Sequence, residues 1–219
     1  MIEIAIDGTA ASGKGTLAKK LSAKYKFPHL DTGLMYRMVA FNLIDNNKKN
    51  SSNLELDSCK IAKKIDFKQM KSKKLRTEKI AILASKIASF RNLREILNSK
   101  QIEFATANKV KYGGCILDGR DIGTKILPDA NFKFFINASV EIRAKRRLLE
   151  KNISFLHEND EKCMLQSLII EITKRDILDS NREVSPLVPA KDAFIIDTSS
   201  IDADKLLLIA IDIIEGRSN

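Results

Sequence analysis

Short apolar runs alternate along the chain with longer segments in which apolar residues recur at helical spacing. The runs that predict strands are Ile2–Asp7, Phe27–Leu30, Cys115–Asp118, Phe132–Ile136 and Ala193–Asp197. A short apolar run bounded by turn residues is typical of a buried strand, and a spacing of three or four residues is typical of an amphipathic helix. Strands that alternate with helices in this way predict an α/β protein with a parallel β-sheet flanked by helices.

The periodic segments place helices between and after those strands. They cover Thr16–Lys24, Leu34–Leu43, a pair within Thr77–Ala107 that is broken near Phe90–Asn92, Val140–Lys151, Lys162–Arg175, and a C-terminal helix from Ile201. The polar run Asn46–Ser52 separates two parts of the chain, because clustered Asn and Ser favour a loop. We expect Ser154–Asp160 to form a mobile loop.

Length and composition fit one domain. With 219 residues, of which 44% are hydrophobic, the chain is long enough to bury one core. Its longest apolar runs, such as Ile2–Ile6 and Leu206–Ile211, are far shorter than the roughly 20 residues that span a membrane. The first strand begins directly after Met1, which leaves no room for a signal peptide. We therefore expect a soluble, cytoplasmic protein with no membrane partner.

The cysteines suggest no metal centre. Cys59, Cys115 and Cys163 are widely spaced, and His29 and His157 are the only imidazoles available to join them. An odd number of cysteines without a C-x-x-C pair fits neither a structural zinc site nor a disulfide framework. We expect reduced thiols and assign no residue as a metal ligand.

Basic residues are concentrated in one stretch. The net charge is +10, and between Lys48 and Lys79 a count of 11 basic residues against 4 acidic ones gives a local surplus of +7. Phe67 is the only aromatic residue in that stretch, which is too few for stacking nucleic-acid bases. We expect a solvated surface there and no nucleic-acid partner.

The most specific motif lies between the first strand and the first helix. It consists of Gly8, Thr9, Ala10, Ala11, Ser12, Gly13, Lys14, Gly15 and Thr16, with the spacing G-x-x-x-x-G-K. In this context the spacing predicts a phosphate-binding loop, in which backbone N–H groups and a helix N-terminus surround phosphate oxygens. Lys14 is expected to bridge the β- and γ-phosphates of a nucleoside triphosphate. The alternative is a glycine-rich turn without a ligand.

Three further motifs follow along the chain. They are LDTGLMYR at Leu30–Arg37, LDGRDIGT at Leu117–Thr124, and the spaced group KRD, Asp179, Asn181-Arg182 and SPL within Lys174–Leu187. Together with the G-K-G-T variant of the phosphate loop, these motifs resemble those of the cytidylate kinases, a family of P-loop nucleoside-monophosphate kinases. The resemblance extends from Ile4 to Thr198.

The resemblance implies a P-loop kinase core with a reduced acceptor-binding insertion and a helical lid. It implies transfer of the γ-phosphoryl group of ATP to CMP or dCMP, with ATP and Mg²⁺ as cofactors. Such a transfer mainly requires the protein to position two polyanions and to stabilise charge. A broader UMP/CMP kinase, another small-molecule P-loop kinase and a nucleic-acid-binding module with a vestigial nucleotide site are the alternatives.

The resemblance also assigns residues to each part of the acceptor nucleotide. These are Arg37, Arg120 and Arg182 for the phosphate, Ser85, Arg94 and Asp121 for the cytosine ring, and Arg175, Asp179 and Thr32 for the ribose. A carboxylate accepts a hydrogen bond from the exocyclic amine of cytosine, whereas uracil presents a carbonyl in its place. Both aspartates have an alternative role as ion-pair partners of the arginines.

The catalytic group implied by the resemblance is Lys14, Asp118, Arg120 and Arg182. Asp118 ends a predicted strand, where it is expected to orient Mg²⁺ through water, and capping of a turn is the alternative. On the donor side, Arg143, Arg146 and Arg147 share one helix face. With the loop after them they resemble a hinge and lid that close over the triphosphate, and Arg146 and Arg147 are assigned to ATP. A solvated basic face is the alternative.

Arginine and lysine are distributed differently. Of the 11 arginines, against 27 lysines, only Arg76, Arg91 and Arg217 are left outside the predicted site and hinge. Guanidinium stays charged and binds phosphate through two hydrogen bonds at once, which lysine cannot do. The arginines therefore mark the predicted site more specifically than the net charge does.

The resemblance divides one kinase domain, expected to be a monomer, into three parts. They are a core at 1–46, 107–150 and 185–219, an acceptor-binding insertion at about 47–106, and a lid at about 151–184. Two departures stand out. The family carries a further arginine where this chain has Asp176-Ile177-Leu178, so we expect a weaker grip on the triphosphate. Its longer insertion ahead of Thr77 is reduced here to Ile65–Lys74, which we expect to be mobile.

Overall fold

The strands are β1 (Ile2–Gly8), β2 (His29–Asp31), β3 (Gly114–Gly119), β4 (Phe132–Asn137) and β5 (Phe194–Asp197). The computed structural model describes residues 1–64, 66, 73–151, 153, 155 and 157–216. Within these residues the strands form one sheet in the order β2-β3-β1-β4-β5. All neighbouring pairs are parallel, so the carboxyl ends of the strands lie at one edge of the sheet.

Helices connect the strands in this part of the chain. They are α1 (Lys14–Tyr25), α2 (Thr32–Asp45), α3 (Leu54–Lys63), α4 (Glu78–Ile87), α5 (Arg91–Tyr112), α6 (Val140–Glu150), α7 (Glu158–Ser180) and α8 (Ala203–Ile214). A 3-10 turn covers Lys73–Arg76, and a π-helical turn covers Ile122–Ile126. No described helix is both long and apolar enough to cross a membrane.

Alternation along β1 directs side chains to both faces of the sheet. Ala5 belongs to the apolar cluster formed with α2, α4 and α5, whereas Ile4 and Ile6 belong to the cluster formed with α1 and α8. All three side chains are at most 1% exposed. Successive residues of a strand point to opposite faces, so the apolar segment Ile4–Ile6 must be covered on both. The predicted parallel sheet flanked by helices is confirmed.

The pair formed by α6 and α7 has a small apolar cluster of its own. Ala144 and Leu148 of α6 pack against Leu168 and Ile172 of α7. This cluster is separate from the two larger ones, so polar contacts carry much of the connection between α7 and the sheet.

Several predicted boundaries are wrong by a few residues. The second strand begins at His29 rather than at Phe27 and pairs with β3 from His29 opposite Ile116 to Asp31 opposite Asp118. Pro28 has no N–H and cannot donate to a ladder, which explains the later start. The break predicted near Phe90–Asn92 is confirmed, since α4 ends at Ile87 and α5 begins at Arg91.

Two helical segments depart from the sequence predictions. Helix α3 was not predicted, and α7 begins at Glu158, inside the loop predicted at Ser154–Asp160. Ser154 and Leu156 of that loop lie outside the described residues, as do Ile65 and residues 67–72 of the reduced insertion and Arg217. The last two residues of the segment Ile65–Lys74, Lys73 and Lys74, begin the 3-10 turn.

Gly8, at the end of β1, lies against the neighbouring strand. Its φ is +149°, and a Cβ atom there would lie 2.0 Å from the carbonyl oxygen of Ile136. We expect Gly8→Ala to lower the free energy of unfolding by about 3 kcal/mol or more, because strain and a backbone clash add. Gly113→Ala is the matched control, since Gly113 also has positive φ but has open space around it, and about 1 kcal/mol is expected. Equal losses in chemical denaturation would contradict this explanation.

Candidate active site

A cavity of about 610 Å³ opens at the carboxyl edge of the sheet. Every residue predicted for the site lines it except Gly8 and Thr9. Those two lie beneath its floor, where the Gly8 carbonyl accepts a hydrogen bond from Arg120 and the Thr9 hydroxyl donates to Asn137 at 2.9 Å. Parallel strands bring their carboxyl ends together, which is why motifs far apart in sequence converge here.

The phosphate loop is curled by two residues in the left-handed region. Ala11 has a φ of 58° and Gly13 has a φ of 96°. Between them Ser12 is fully buried, and its hydroxyl donates to the Thr9 carbonyl at 3.0 Å. Gly13 immediately precedes α1, and the first N–H groups of a helix have no partner within it. The loop and the helix dipole therefore offer unpaired donors to an anion.

Lys14 is the first residue of α1 and lines the cavity. Burial and repulsion from Arg120 lower its pKa to about 8, against a partial opposing effect of Asp118 and Asp31. An anion bound beside this amine would favour the charged form and raise the pKa again.

Asp179 of α7 gathers three arginines at one side of the cavity. Its carboxylate lies 2.8 Å from Arg120 Nε, 3.6 Å from Arg182 Nη2 and 4.0 Å from Arg175 Nε. Burial alone would raise the pKa of Asp179, but the three guanidinium groups overcome it and hold the pKa below its ordinary value. Among the residues that the structure describes, Arg182 Nη2 and Arg175 Nε have no hydrogen-bond acceptor, so the cluster has donors that an anion could use.

Positive charge exceeds negative charge around these donors. Burial, reinforced by repulsion from Arg147, lowers the pKa of Arg37 to about 10. Burial, reinforced by repulsion from Arg120, lowers the pKa of Arg175 to about 10. In both cases burial and neighbouring cations disfavour the charged guanidinium, and a bound polyanion would offset both effects.

The inner end of the cavity holds a buried ion pair. Arg94 Nη2 lies 2.5 Å from Asp121, and Arg94 Nη1 donates to the Ala88 carbonyl at 3.0 Å. The guanidinium lies 5.6 Å from the centre of the Tyr36 ring, and neither Arg94 Nε nor the Tyr36 hydroxyl has a hydrogen-bond partner in the described part of the chain. Ser85 of α4 also lines this region. A planar ligand with donors and acceptors at its edge would satisfy these groups.

Asp118 lies between the phosphate loop and the second strand. Its Oδ1 is 2.6 Å from His29 Nε2, and its Oδ2 would be 3.7 Å from a Cβ atom on Gly15. Its backbone carbonyl accepts from the Thr32 hydroxyl at 2.9 Å. The carboxylate is therefore fixed beside the phosphate loop rather than used to cap a turn.

Two of the three hinge arginines bind backbone carbonyls. Arg143 donates to Ala138 at 2.8 Å and to Ala10 of the phosphate loop at 3.3 Å, and it pairs with Asp176 of α7 at 2.6 Å. Arg146 donates to the carbonyls of Ser12, Thr198 and Ile201. This end of α6 thus braces the phosphate loop from behind, in contrast to the solvated face that was the alternative.

Sequence reasoning missed several residues that line the cavity, and Arg76 and Asp31 are two charged ones among them. Arg76, left outside the predicted site, lines the cavity and lies 3.6 Å from Asp31. Asp31 itself accepts from the N–H of Leu34 and caps α2, while burial and repulsion from Asp118 raise its pKa. Asp31 lies in the motif LDTGLMYR, so the sequence could have indicated it. Arg76 lies in no recognised motif.

A family model described as cytidylate kinase matches residues 4–216. The chain belongs to the cytidylate kinase family. Cytidylate kinases of Methylocella silvestris and Paramagnetospirillum magneticum are each 42% identical to it, over 97% and 98% of this chain and 94% and 98% of theirs. That of Bartonella quintana is 41% identical over 97% of this chain and 94% of its own. The resemblance stated from the motifs is therefore confirmed.

Two solved structures share the fold at low sequence identity. An uncharacterized protein from Eubacterium ventriosum superposes with a TM-score of 0.51 at 16% identity, covering 98% of this chain and 99% of its own. A protein from Thermus thermophilus gives a TM-score of 0.50 at 14% identity, covering 100% and 98%. These likenesses concern the fold alone.

The bracing role of Arg146 can be separated from the charge of its neighbour. We expect Arg146→Ala to lower the free energy of unfolding by about 2 kcal/mol, because three backbone carbonyls lose a charged donor. Arg147→Ala is the control, since Arg147 lines the same cavity and has no hydrogen bond within the described residues; a change within about 0.5 kcal/mol is expected. Chemical denaturation measures both, and equal destabilisation by the two variants would contradict the assignment.

Proposed function

We propose that the protein is a cytidylate kinase, a phosphotransferase that moves the γ-phosphoryl group of ATP to CMP or dCMP and releases ADP with CDP or dCDP. The carrying observation is one cavity in which the phosphate loop faces an arginine cluster and a buried Arg94–Asp121 pair. Membership of the cytidylate kinase family supports the same reaction.

On the donor side, the backbone of Gly8–Thr16 and Lys14 bind the β- and γ-phosphates of ATP. The free N–H groups and the helix dipole support this assignment. Arg146 and Arg147 are proposed to contact the triphosphate from α6. Because Arg146 already donates to the carbonyls of Ser12 and Thr198, we assign it chiefly to holding the phosphate loop in place.

On the acceptor side, Arg37, Arg120 and Arg182 bind the phosphate of CMP. Arg182 Nη2, which has no hydrogen-bond acceptor among the described residues, and the excess of positive charge support this. Arg175 and Asp179 are proposed to hold the ribose, with Thr32 as a further hydroxyl contact. The cations of the donor side and of the acceptor side would bring an oxygen of the CMP phosphate close to the γ-phosphorus of ATP. Positioning and charge stabilisation account for most of the catalysis in this class of reaction.

At the inner end, Asp121 accepts from the exocyclic amine of cytosine, while Arg94 and Ser85 donate to its other edge atoms. Asp121 serves as ion-pair partner and as acceptor at once, because a carboxylate has about four lone-pair directions. Uracil would leave this buried acceptor facing another acceptor, which is penalised by desolvation rather than by size.

The residues present fit a magnesium ion bound together with the nucleotide. Asp118 and the Thr16 hydroxyl are oxygen donors beside the phosphate loop, and Mg²⁺ is usually held by one or two carboxylates with phosphates and waters. Within the described residues no cluster of three or more His, Cys, Asp or Glu forms a cage that would suggest another metal. When bound, the ion neutralises charge on the β- and γ-phosphates.

The division of the chain is part of the proposal. The core is 1–46, 107–150 and 185–219, the acceptor-binding insertion is about 47–106, and the lid is about 151–184. Small nucleotides are its partners, and we propose a monomer that acts in the cytoplasm without a membrane or nucleic acid. In the basic stretch, Lys48 pairs with Asp57 at 2.8 Å, which supports a solvated surface.

Base selection provides the sharpest test of the proposed function. We expect Asp121→Asn to lower kcat/KM for CMP by about 100-fold and for UMP by less than about 3-fold, because only cytosine loses its acceptor. A coupled assay of ADP release with CMP, dCMP, UMP, AMP and GMP measures this. A wild-type protein without preference for cytidine nucleotides would overturn the cytidylate kinase assignment and favour the broader UMP/CMP kinase.

The lowered pKa of Lys14 predicts a proton linkage. Since the pKa of Lys14 is lowered to about 8, its amine is largely neutral at higher pH when no ligand is bound. Bound phosphates favour the ammonium form. ATP binding should therefore be accompanied by proton uptake at about pH 9 and by far less uptake at about pH 6.5. Calorimetric titration in two buffers of different ionisation enthalpy measures the uptake. Lys14→Arg, whose side chain stays charged, should abolish it, and uptake that persists in this variant would exclude Lys14 as its source.

A further inference from the structure

Asp7 is a carboxylate in the middle of the sheet. It is the penultimate residue of β1, which lies between β3 and β4, and it is only 4% exposed. It does not line the cavity, and no part of the proposed reaction uses it. A buried carboxylate is unfavourable unless hydrogen bonds compensate it, so its partners indicate what it does.

Both carboxylate oxygens of Asp7 hold one short segment of backbone. Oδ1 accepts from the N–H of Ile122 at 2.9 Å, and Oδ2 accepts from the N–H of Gly123 at 2.8 Å. These are the first two residues of the π-helical turn that directly follows Asp121.

The next residue along β1 holds the other side of Asp121. The carbonyl of Gly8 accepts from the guanidinium of Arg120. Asp7 and Gly8 therefore contact both neighbours of Asp121, Asp7 through the backbone N–H groups that follow it and Gly8 through the Arg120 side chain. The Asp121 side chain itself pairs with Arg94 at 2.5 Å. A shift of this segment by a fraction of an ångström would move the Asp121 carboxylate relative to a bound base.

We infer that Asp7 is a positioning residue that sets the discrimination between cytosine and uracil by fixing Asp121. The inference rests on the proposed function, because it assigns base recognition to Asp121. Asp7 ties the strand that carries the phosphate loop to the segment that recognises the acceptor base.

A carboxylate is needed for this task because two adjacent N–H groups must both be accepted. Asparagine has nearly the same shape, but its amide nitrogen is a donor and would oppose one of the two N–H groups. Serine offers a single, nearer oxygen in place of the two that accept from Ile122 and Gly123. The segment would then relax away from β1 and carry Asp121 with it.

The test compares Asp7→Asn with wild type and with Asp192→Asn. Asp192 is a suitable control because it pairs at 2.6 Å with Lys133, whose side chain also lies beside Gly123, and the Asp192 side chain is 64% exposed. For each protein, kcat/KM is measured with CMP and with UMP, together with KM for ATP. Circular dichroism establishes that each protein is folded at the assay temperature.

We expect Asp7→Asn to lower the CMP-to-UMP ratio of kcat/KM by about 10-fold while KM for ATP changes by less than about 2-fold. Asp192→Asn should keep the wild-type ratio. A folded Asp7→Asn protein with an unchanged ratio, or one that loses CMP, UMP and ATP affinity equally, would overturn the inference, because a merely structural residue behaves so.

Two further outcomes are separable. If Asp7→Asn does not fold, Asp7→Ser is measured in the same way, and failure of both variants to fold would assign Asp7 to the sheet alone and overturn the inference. If wild type itself shows no preference for CMP, the proposed function fails before any variant is compared. A preference in wild type that Asp7→Asn retains overturns only the role of Asp7.

Discussion

The arrangement of the cavity depends on keeping like charges together. Eight arginines and Lys14 line it, and their mutual repulsion would drive the surrounding elements apart without compensation. Asp179 and Asp121 supply that compensation from opposite sides, one gathering three guanidinium groups and the other holding Arg94. Because the cations outnumber the carboxylates, the compensation is partial, and the cavity keeps an excess of positive charge.

Asp179 also links elements that are far apart in the sequence. Asp179 lies on α7, whereas its partner Arg120 follows β3 and donates in turn to Gly8 of β1. A chain of polar contacts thus runs from the helix that forms one wall, through the acceptor motif, to the strand beneath the phosphate loop. Apolar packing orders the sheet and its helices, while these few polar contacts set the positions of groups at its edge.

Sequence patterns predicted the sheet and most of the site because motifs and apolar runs both leave local signals. Helix α3 left little signal, since the residues it buries are Leu54, Ser58 and Ala62, and two of these are small or polar. The early start of α7 was marked by Glu158, Asp160 and Glu161, acidic residues that favour a helix N-terminus. Arg76 could not be predicted, because only the packing of a 3-10 turn brings it to Asp31.

Arg143 makes the helix pair mechanically dependent on the phosphate loop. Its guanidinium contacts the carbonyl of Ala10 and the carboxylate of Asp176 at the same time, and it is only 5% exposed. Any rotation of α7 must therefore break this ion pair or pull α6 and Ala10 along with it. The carbonyl of Ala10 and the ion pair that joins α6 to α7 therefore meet at one side chain, so replacement of Arg143 would disturb the loop and the helix pair together.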